Sequence, residues 1–122
     1  MMSKSLLFAI IILISITPAH AAVEKRCGWF DNPSPGNVYL NDKDGSWIIN
    51  EQNRYDIEAD WTWPEFSSKQ QVKTGSHGYG CVCMDVETKT EDKAKYITAI
   101  KSTKIKPLSV CRKDKTLIEP NH

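Results

Sequence analysis

The chain has 122 residues, with 16 basic against 15 acidic side chains and a formal charge of +1. Such a length allows one domain with a modest core. So even a balance excludes the strong basic field with which a dedicated nucleic-acid binder displaces counterions. Met1 to Ser5 carries one cation, Lys4, and Leu6 to Ile16 is apolar except for Ser15. A run this short cannot cross a bilayer core as a helix, which takes roughly 20 residues. It fits the apolar region of a secretory signal peptide. Pro18 breaks the run, and Ala19-His20-Ala21 supplies the small-x-small pattern that predicts cleavage after Ala21. Residues 1–21 are therefore read as a signal peptide and 22–122 as a single disulfide-bonded β domain. Glu24, Lys25 and Arg26 stand before Cys27 where a lipid-attachment pattern needs small and aliphatic residues. The expected product has no membrane anchor after cleavage and is periplasmic or secreted.

All four cysteines, Cys27, Cys81, Cys83 and Cys111, fall in the exported part, and an even number in a small exported domain implies two disulfides. A Cys81–Cys83 bridge would close a very tight ring. Cys27 and Cys111 are each expected to reach one member of the central pair, closing loops worth ~3 to 4 kcal/mol apiece in chain entropy. The same thiols with His77 are the one candidate zinc or copper set. One C-x-C with two isolated cysteines lacks the paired knuckles of structural zinc sites, so no metal and no other cofactor is expected.

The exported part reads as strands. Val38-Tyr39-Leu40 and Trp47-Ile48-Ile49 flank Asn41 to Gly45, a hairpin in which Asp44-Gly45 supplies a positive φ. A short run surrounds Tyr55 and Ile57, and further strands are expected at 70–74, 79–87, 96–105 and 108–111. The segment 88–95 reads as a charged hairpin turn. Prolines punctuate the chain, and no apolar period of 3.6 is sustained. The expected fold is all-β, a small disulfide-stapled barrel or sandwich of about six or seven short strands. Alternation places Tyr79, Cys81, Cys83 and Asp85 on one face of their strand and Val82, Met84 and Val86 on the core face. Both disulfides are then covered by the N-terminal segment and the last strand, with Trp29 and Phe30 plugging one of them. The excess of acids in 23–68 and of bases in 89–115 suggests that the two halves attract one another.

Candidate sites are few. Asp42, Asp44, Gly45 and Glu51 match part of the spacing of an EF-hand loop, but Leu40 stands where its first Asp is required and the flanks read as strands. Trp61 and Trp63, two apart, present both indoles on one face of an extended segment, suited either to stacking on sugar rings or to packing. The segment 74–80 holds Gly75, Gly78 and Gly80 with Ser76, His77 and Tyr79. So many glycines imply a turn with unusual φ, or a backbone that something must approach closely. Ser76, His77 and Tyr79 are the binding candidates there, the alternative being a turn with Tyr79 packed inward. Carboxylate pairs such as Asp42/Asp44 and Asp56/Glu58 are candidates for glycosidic acid/base work, though charged turns and strand faces also account for them, and no nucleophile or metalloprotease constellation exists.

Cys27-Gly28-Trp29-Phe30, Asp42-x-Asp44-Gly45-x-Trp47, Gly78-Tyr79-Gly80-Cys81-x-Cys83 and Pro107-Leu108-x-x-Cys111-Arg112 together resemble an uncharacterised family of small exported bacterial proteins. The resemblance covers nearly all of 22–122 and implies export and disulfides, with no activity attached. Gly75 to Tyr79 is also similar to the Ser/Gly-rich, Tyr-ended loop of periplasmic C-type lysozyme inhibitors, which implies a loop inserted into an enzyme cleft. The first functional expectation is thus a non-enzymatic binding module, an inhibitor or immunity-type protein with a protein partner in the bacterial envelope that is an envelope-directed hydrolase. A carbohydrate or peptidoglycan binder using Trp61 and Trp63 stands second, and a small hydrolase third.

Overall fold

A computed structural model describes residues 9–14 and 22–122. The proposed cleavage site at 19–21 lies outside the described residues. Residues 9–14 have no regular structure, and Ile10 to Ile14 are exposed. Seven strands follow: β1 (Glu24–Ser34), β2 (Asn37–Asp42), β3 (Gly45–Glu51), β4 (Tyr55–Asp56), β5 (Gln71–Thr74), β6 (His77–Glu91) and β7 (Ala94–Lys106), then one short helix, α1 (Leu108–Lys113). The β1-β2-β3 meander and the β6-β7 hairpin meet along two seams. β1 pairs antiparallel with β6 from Glu24↔Val86 to Asn32↔Gly78, whereas β3 pairs parallel with β7 only at Trp47↔Lys95 and Ile48↔Tyr96. The cycle β1-β2-β3-β7-β6-β1 is a five-stranded Greek-key barrel, closed firmly on one side and barely on the other. β4 extends β3 and β5 extends the start of β6.

Local chemistry explains the turns. Gly45 takes φ +120 beyond the β2–β3 turn, as expected. The β6–β7 strands run farther than their charged sequence suggests, and the turn shrinks to Asp92-Lys93, both at positive φ, the pattern of a type I′ hairpin whose twist matches its strands. The expected strand at 108–111 is instead helix α1. Pro107 is its N-cap, extended at φ −56 and ψ 143 with its carbonyl accepting from the Val110 N–H at 3.0 Å, and Arg112 and Lys113 fill its last turn, where the dipole favours cations.

Alternation on β6 separates two clusters. Val82, Met84 and Val86 point into the barrel with Leu40, Ile49 and Ile97, none more than 1 % exposed. Tyr79 and Cys81 point outward and are covered by Trp29, Cys111 and the residues after β7. β1 lies between the clusters. Trp29 serves the outer one and Phe30 the barrel, so only Trp29 covers a disulfide. The bridges are Cys27–Cys83 and Cys81–Cys111, each joining an outer cysteine to the central pair.

The attraction expected between the acidic and basic halves is not what holds the chain. Arg26 bonds its own acidic neighbours, with one guanidinium nitrogen 2.9 Å from both Asp42 and Asp44 and the other 2.8 Å from Glu24. It also lies 3.9 Å above the Trp47 ring, whose indole N–H donates to Asp42 at 3.0 Å. Of the carboxylates that matched an EF-hand loop, Asp42 and Asp44 are therefore taken by a guanidinium, and Glu51 accepts from the Tyr39 hydroxyl at 3.0 Å. Among the described residues no cluster of three or more His, Cys, Asp or Glu side chains is placed to hold a metal ion.

Candidate functional site: an aromatic ridge between two clefts

Residues 57–70, between β4 and β5, form no strand or helix. Their aromatic rings dock on Phe30, which is 2 % exposed. Ring centroids of Trp61, Trp63 and Phe66 lie 6.3, 5.5 and 6.0 Å from that of Phe30. Trp61 and Trp63 stack on each other at 5.2 Å with 28° between their planes, so the two indoles do share one face of an extended segment. Their fates differ. Trp61 packs against the barrel cluster, and Trp63 remains 49 % exposed.

The segment 74–80 is a hairpin. Thr74 pairs with His77, and Gly75-Ser76 forms the tip, with Gly75 at φ +71 and open space around it. The other two glycines make room for neighbours. A Cβ at Gly78 would lie 2.3 Å from the Val72 carbonyl oxygen, and one at Gly80 would lie 2.3 Å from the Phe66 ring. Tyr79 is packed inward, 6 % exposed, with its ring edge-on to Trp29 at 5.3 Å. Its hydroxyl donates to Glu119 at 2.6 Å. Burial first, then this hydrogen bond, raises the Tyr79 phenol above its ordinary pKa. Tyr79 is thus packed into the outer cluster, while also bordering the smaller of two clefts beside Trp63.

Trp63 and Pro64 form a wall common to two clefts. One, about 510 Å³, lies between Asp60, Trp61 and Glu65 on one side and Lys101, Ser102 and Thr103 of β7 on the other. The second, about 300 Å³, is bounded by Phe66, Gln71 and Lys73 and by Ser76 and His77 at the hairpin. The structure therefore brings Ser76 and His77, with their side chains 3.0 Å apart, to the same cleft as Trp63. Sequence reasoning missed Phe30, Phe66 and Lys73. Phe66 was signalled only by continuing the aromatic series, and Lys73 only by its place on an alternating strand.

Neither carboxylate pair proposed for acid/base work reaches the ridge. Asp42 and Asp44 bind Arg26, and Asp56 and Glu58 line a separate cleft with Arg54 and Lys89. The acids beside Trp63 are Asp60 and Glu65.

These features define a disulfide-bonded five-stranded barrel with an aromatic ridge flanked by polar clefts. The chain belongs to the DUF4087 family, described as a protein of unknown function, whose profile matches residues 21–118. No curated protein and no solved structure matches it.

Proposed function

We propose that this protein is an exported, non-enzymatic module that binds a glycan, stacking a sugar ring on Trp63. The half-exposed indole between two polar clefts carries the reading. A flat apolar face flanked by hydroxyl, amide and charged groups suits a sugar, which has an apolar ring face and a polar rim. Ser76, His77 and Lys73 would meet hydroxyls on one side, and Asp60, Glu65 and Ser102 on the other. Two disulfides are consistent with an oxidising compartment and support the exported part of the reading. The signal-peptide pattern of residues 1–21 supports a periplasmic or secreted location, where peptidoglycan is the accessible glycan.

The test is binding of the oxidised protein to chito-oligosaccharides and isolated peptidoglycan, with Trp63→Ala alongside. The expected result is binding without hydrolysis, weakened about tenfold or more by the substitution, which corresponds to ~1.4 kcal/mol. Stability should fall by about 1–2 kcal/mol, the worth of the Trp63 ring contacts to Phe30 and Trp61, which leaves the variant folded. Release of sugar fragments would overturn the non-enzymatic part. Absence of glycan binding would overturn the ligand.

The inhibitor reading keeps one favourable observation, the exposed Gly75-Ser76 tip of a two-residue hairpin. A rigid tip of this kind loses little entropy on insertion into an enzyme cleft. Capture of an envelope hydrolase, abolished by Ser76→Trp and unaffected by Trp63→Ala, would establish it in place of the glycan.

A further inference from the structure

The two disulfides occupy opposite environments. Cys81 and Cys111 are 1 % and 3 % exposed within the outer cluster, beneath Trp29 and Leu108. Cys27 is exposed and Cys83 half-buried. They sit directly opposite each other on β1 and β6, and Lys104 on β7 continues the same row beside Cys83. Cys83 opens on a groove of about 450 Å³ that also holds Lys25, Lys104, Lys106 and a single acid, Asp85. Among the described residues none of these three lysines forms a salt bridge with a carboxylate.

We propose that Cys27–Cys83 is a site of thiol–disulfide exchange with an external dithiol, whereas Cys81–Cys111 is a permanent bridge. Exchange requires an attacking thiolate to reach one sulfur while the other leaves as a thiolate. Cys27, the exposed member of the bridge, accepts the attack at its sulfur. A bond forms between it and the reductant, the Cys27–Cys83 bond breaks, and its electron pair stays on the Cys83 sulfur. Ammonium groups beside that sulfur stabilise the leaving thiolate. The second thiol of the dithiol then attacks the mixed disulfide, releasing Cys27 as a thiolate and leaving the reductant oxidised to a disulfide. Loss of this bond costs chain entropy but leaves β1 and β6 hydrogen-bonded from Glu24 to Asn32 above an intact core, so the fold persists without it. The two thiols stay face to face, ready to be reoxidised.

The experiment treats the fully oxidised protein with dithiothreitol, quenches it at intervals with an alkylating agent, and assigns the labelled cysteines by peptide mass spectrometry. Near-ultraviolet circular dichroism follows tertiary structure in parallel. Cys27 and Cys83 should be labelled at least about tenfold faster than Cys81 and Cys111, with the aromatic dichroism retained. The triple change of Lys25, Lys104 and Lys106 to Gln should slow the exposed bond about threefold or more. Equal rates, prior labelling of Cys81 and Cys111, or loss of dichroism in step with the first reduction would overturn the proposal. An unchanged rate in the triple variant would overturn Cys83 as the leaving group.

Discussion

The two faces of β6 are stabilised by different means. Inside the barrel, Val82, Met84 and Val86 meet aliphatic side chains from β2, β3 and β7, surrounded by a sheet closed along β1–β6 and more narrowly along β3–β7, with Tyr55, Trp61 and Phe66 packed against the same core. Outside, Tyr79 and Cys81 have no second sheet over them. They are covered by the chain after β7, held by the Cys81–Cys111 bridge and by polar contacts. Arg112 bonds Glu119 at 2.8 Å, Glu119 accepts from Tyr79, and His122 lies 2.7 Å from Asp31. A closed sheet protects its interior by geometry, whereas a single short helix and a tail can protect a sheet's outer face only when covalently and electrostatically fastened.

The largest effect that separates the faces is expected at Trp29, which is fully buried outside the barrel. Trp29→Ala should cost about 3–5 kcal/mol in denaturant unfolding, as much as Leu40→Ala inside, for which about 2–5 kcal/mol is expected. A cost below 1 kcal/mol would show that the outer cluster is a dispensable cover. Next comes the bridge itself. Replacing Cys81 and Cys111 together with Ser closes no loop over a separation of 30 residues, and should cost about 2–4 kcal/mol. If the tail is truly fastened by this bridge, hydrogen exchange should quicken in α1 and at the Trp29 indole N–H while the barrel amides of Met84 and Ile97 stay protected.

The sequence reveals the inner face more readily than the outer one. Period-two alternation from Tyr79 to Val86 and the Asp44-Gly45 turn are local signals, and both survive in the fold. β1 has no such signal. Trp29 and Phe30 are adjacent yet both buried, because the strand divides two clusters, and a strand buried on both faces shows no alternation. The partners of Asp42 and Asp44 were equally hidden, since Arg26 reaches them only once β1 and β2 pair. At the site, the spacing of Trp61 and Trp63 announced a shared face. The meeting of Trp63 with Ser76 and His77 depends on Phe66 docking over Gly80, a contact between distant segments that no local pattern encodes.

Gly80 offers a smaller test of that docking. Gly80→Ala puts a methyl into the Phe66 ring, an overpacking expected to cost about 1–3 kcal/mol. Because Phe66 lies beside Trp63 in the smaller cleft, the substitution should also weaken ligand binding there. Recovery of stability in Gly80→Ala/Phe66→Leu would identify the ring as the obstacle.

The smallest effects concern the polar fastening of the outer cluster. Hydrogen bonds from Arg112 and then Tyr79 hold the Glu119 carboxyl below its ordinary value of 4.5. A carboxylate lowered in the folded state stabilises it above the unfolded pKa and loses that contribution as pH falls through the folded one. Acid weakening of the tail should therefore begin below pH about 4.5 and vanish in Glu119→Gln. Arg112 and Glu119 are partly open to solvent, so the change should be visible in local hydrogen exchange and slight in global unfolding. Tyr79 titrates in the opposite sense. Its neutral phenol is favoured by burial and secondarily by the Glu119 carboxylate, so its contribution is complete below the ordinary tyrosine value and is lost as pH rises through the raised one. Glu119→Gln removes only the secondary cause. Phenolate absorbance should show the Tyr79 pKa falling in that variant yet remaining above the ordinary value. A return all the way to that value would mean that Glu119, and not the cover formed by Trp29 and the tail, keeps the phenol neutral.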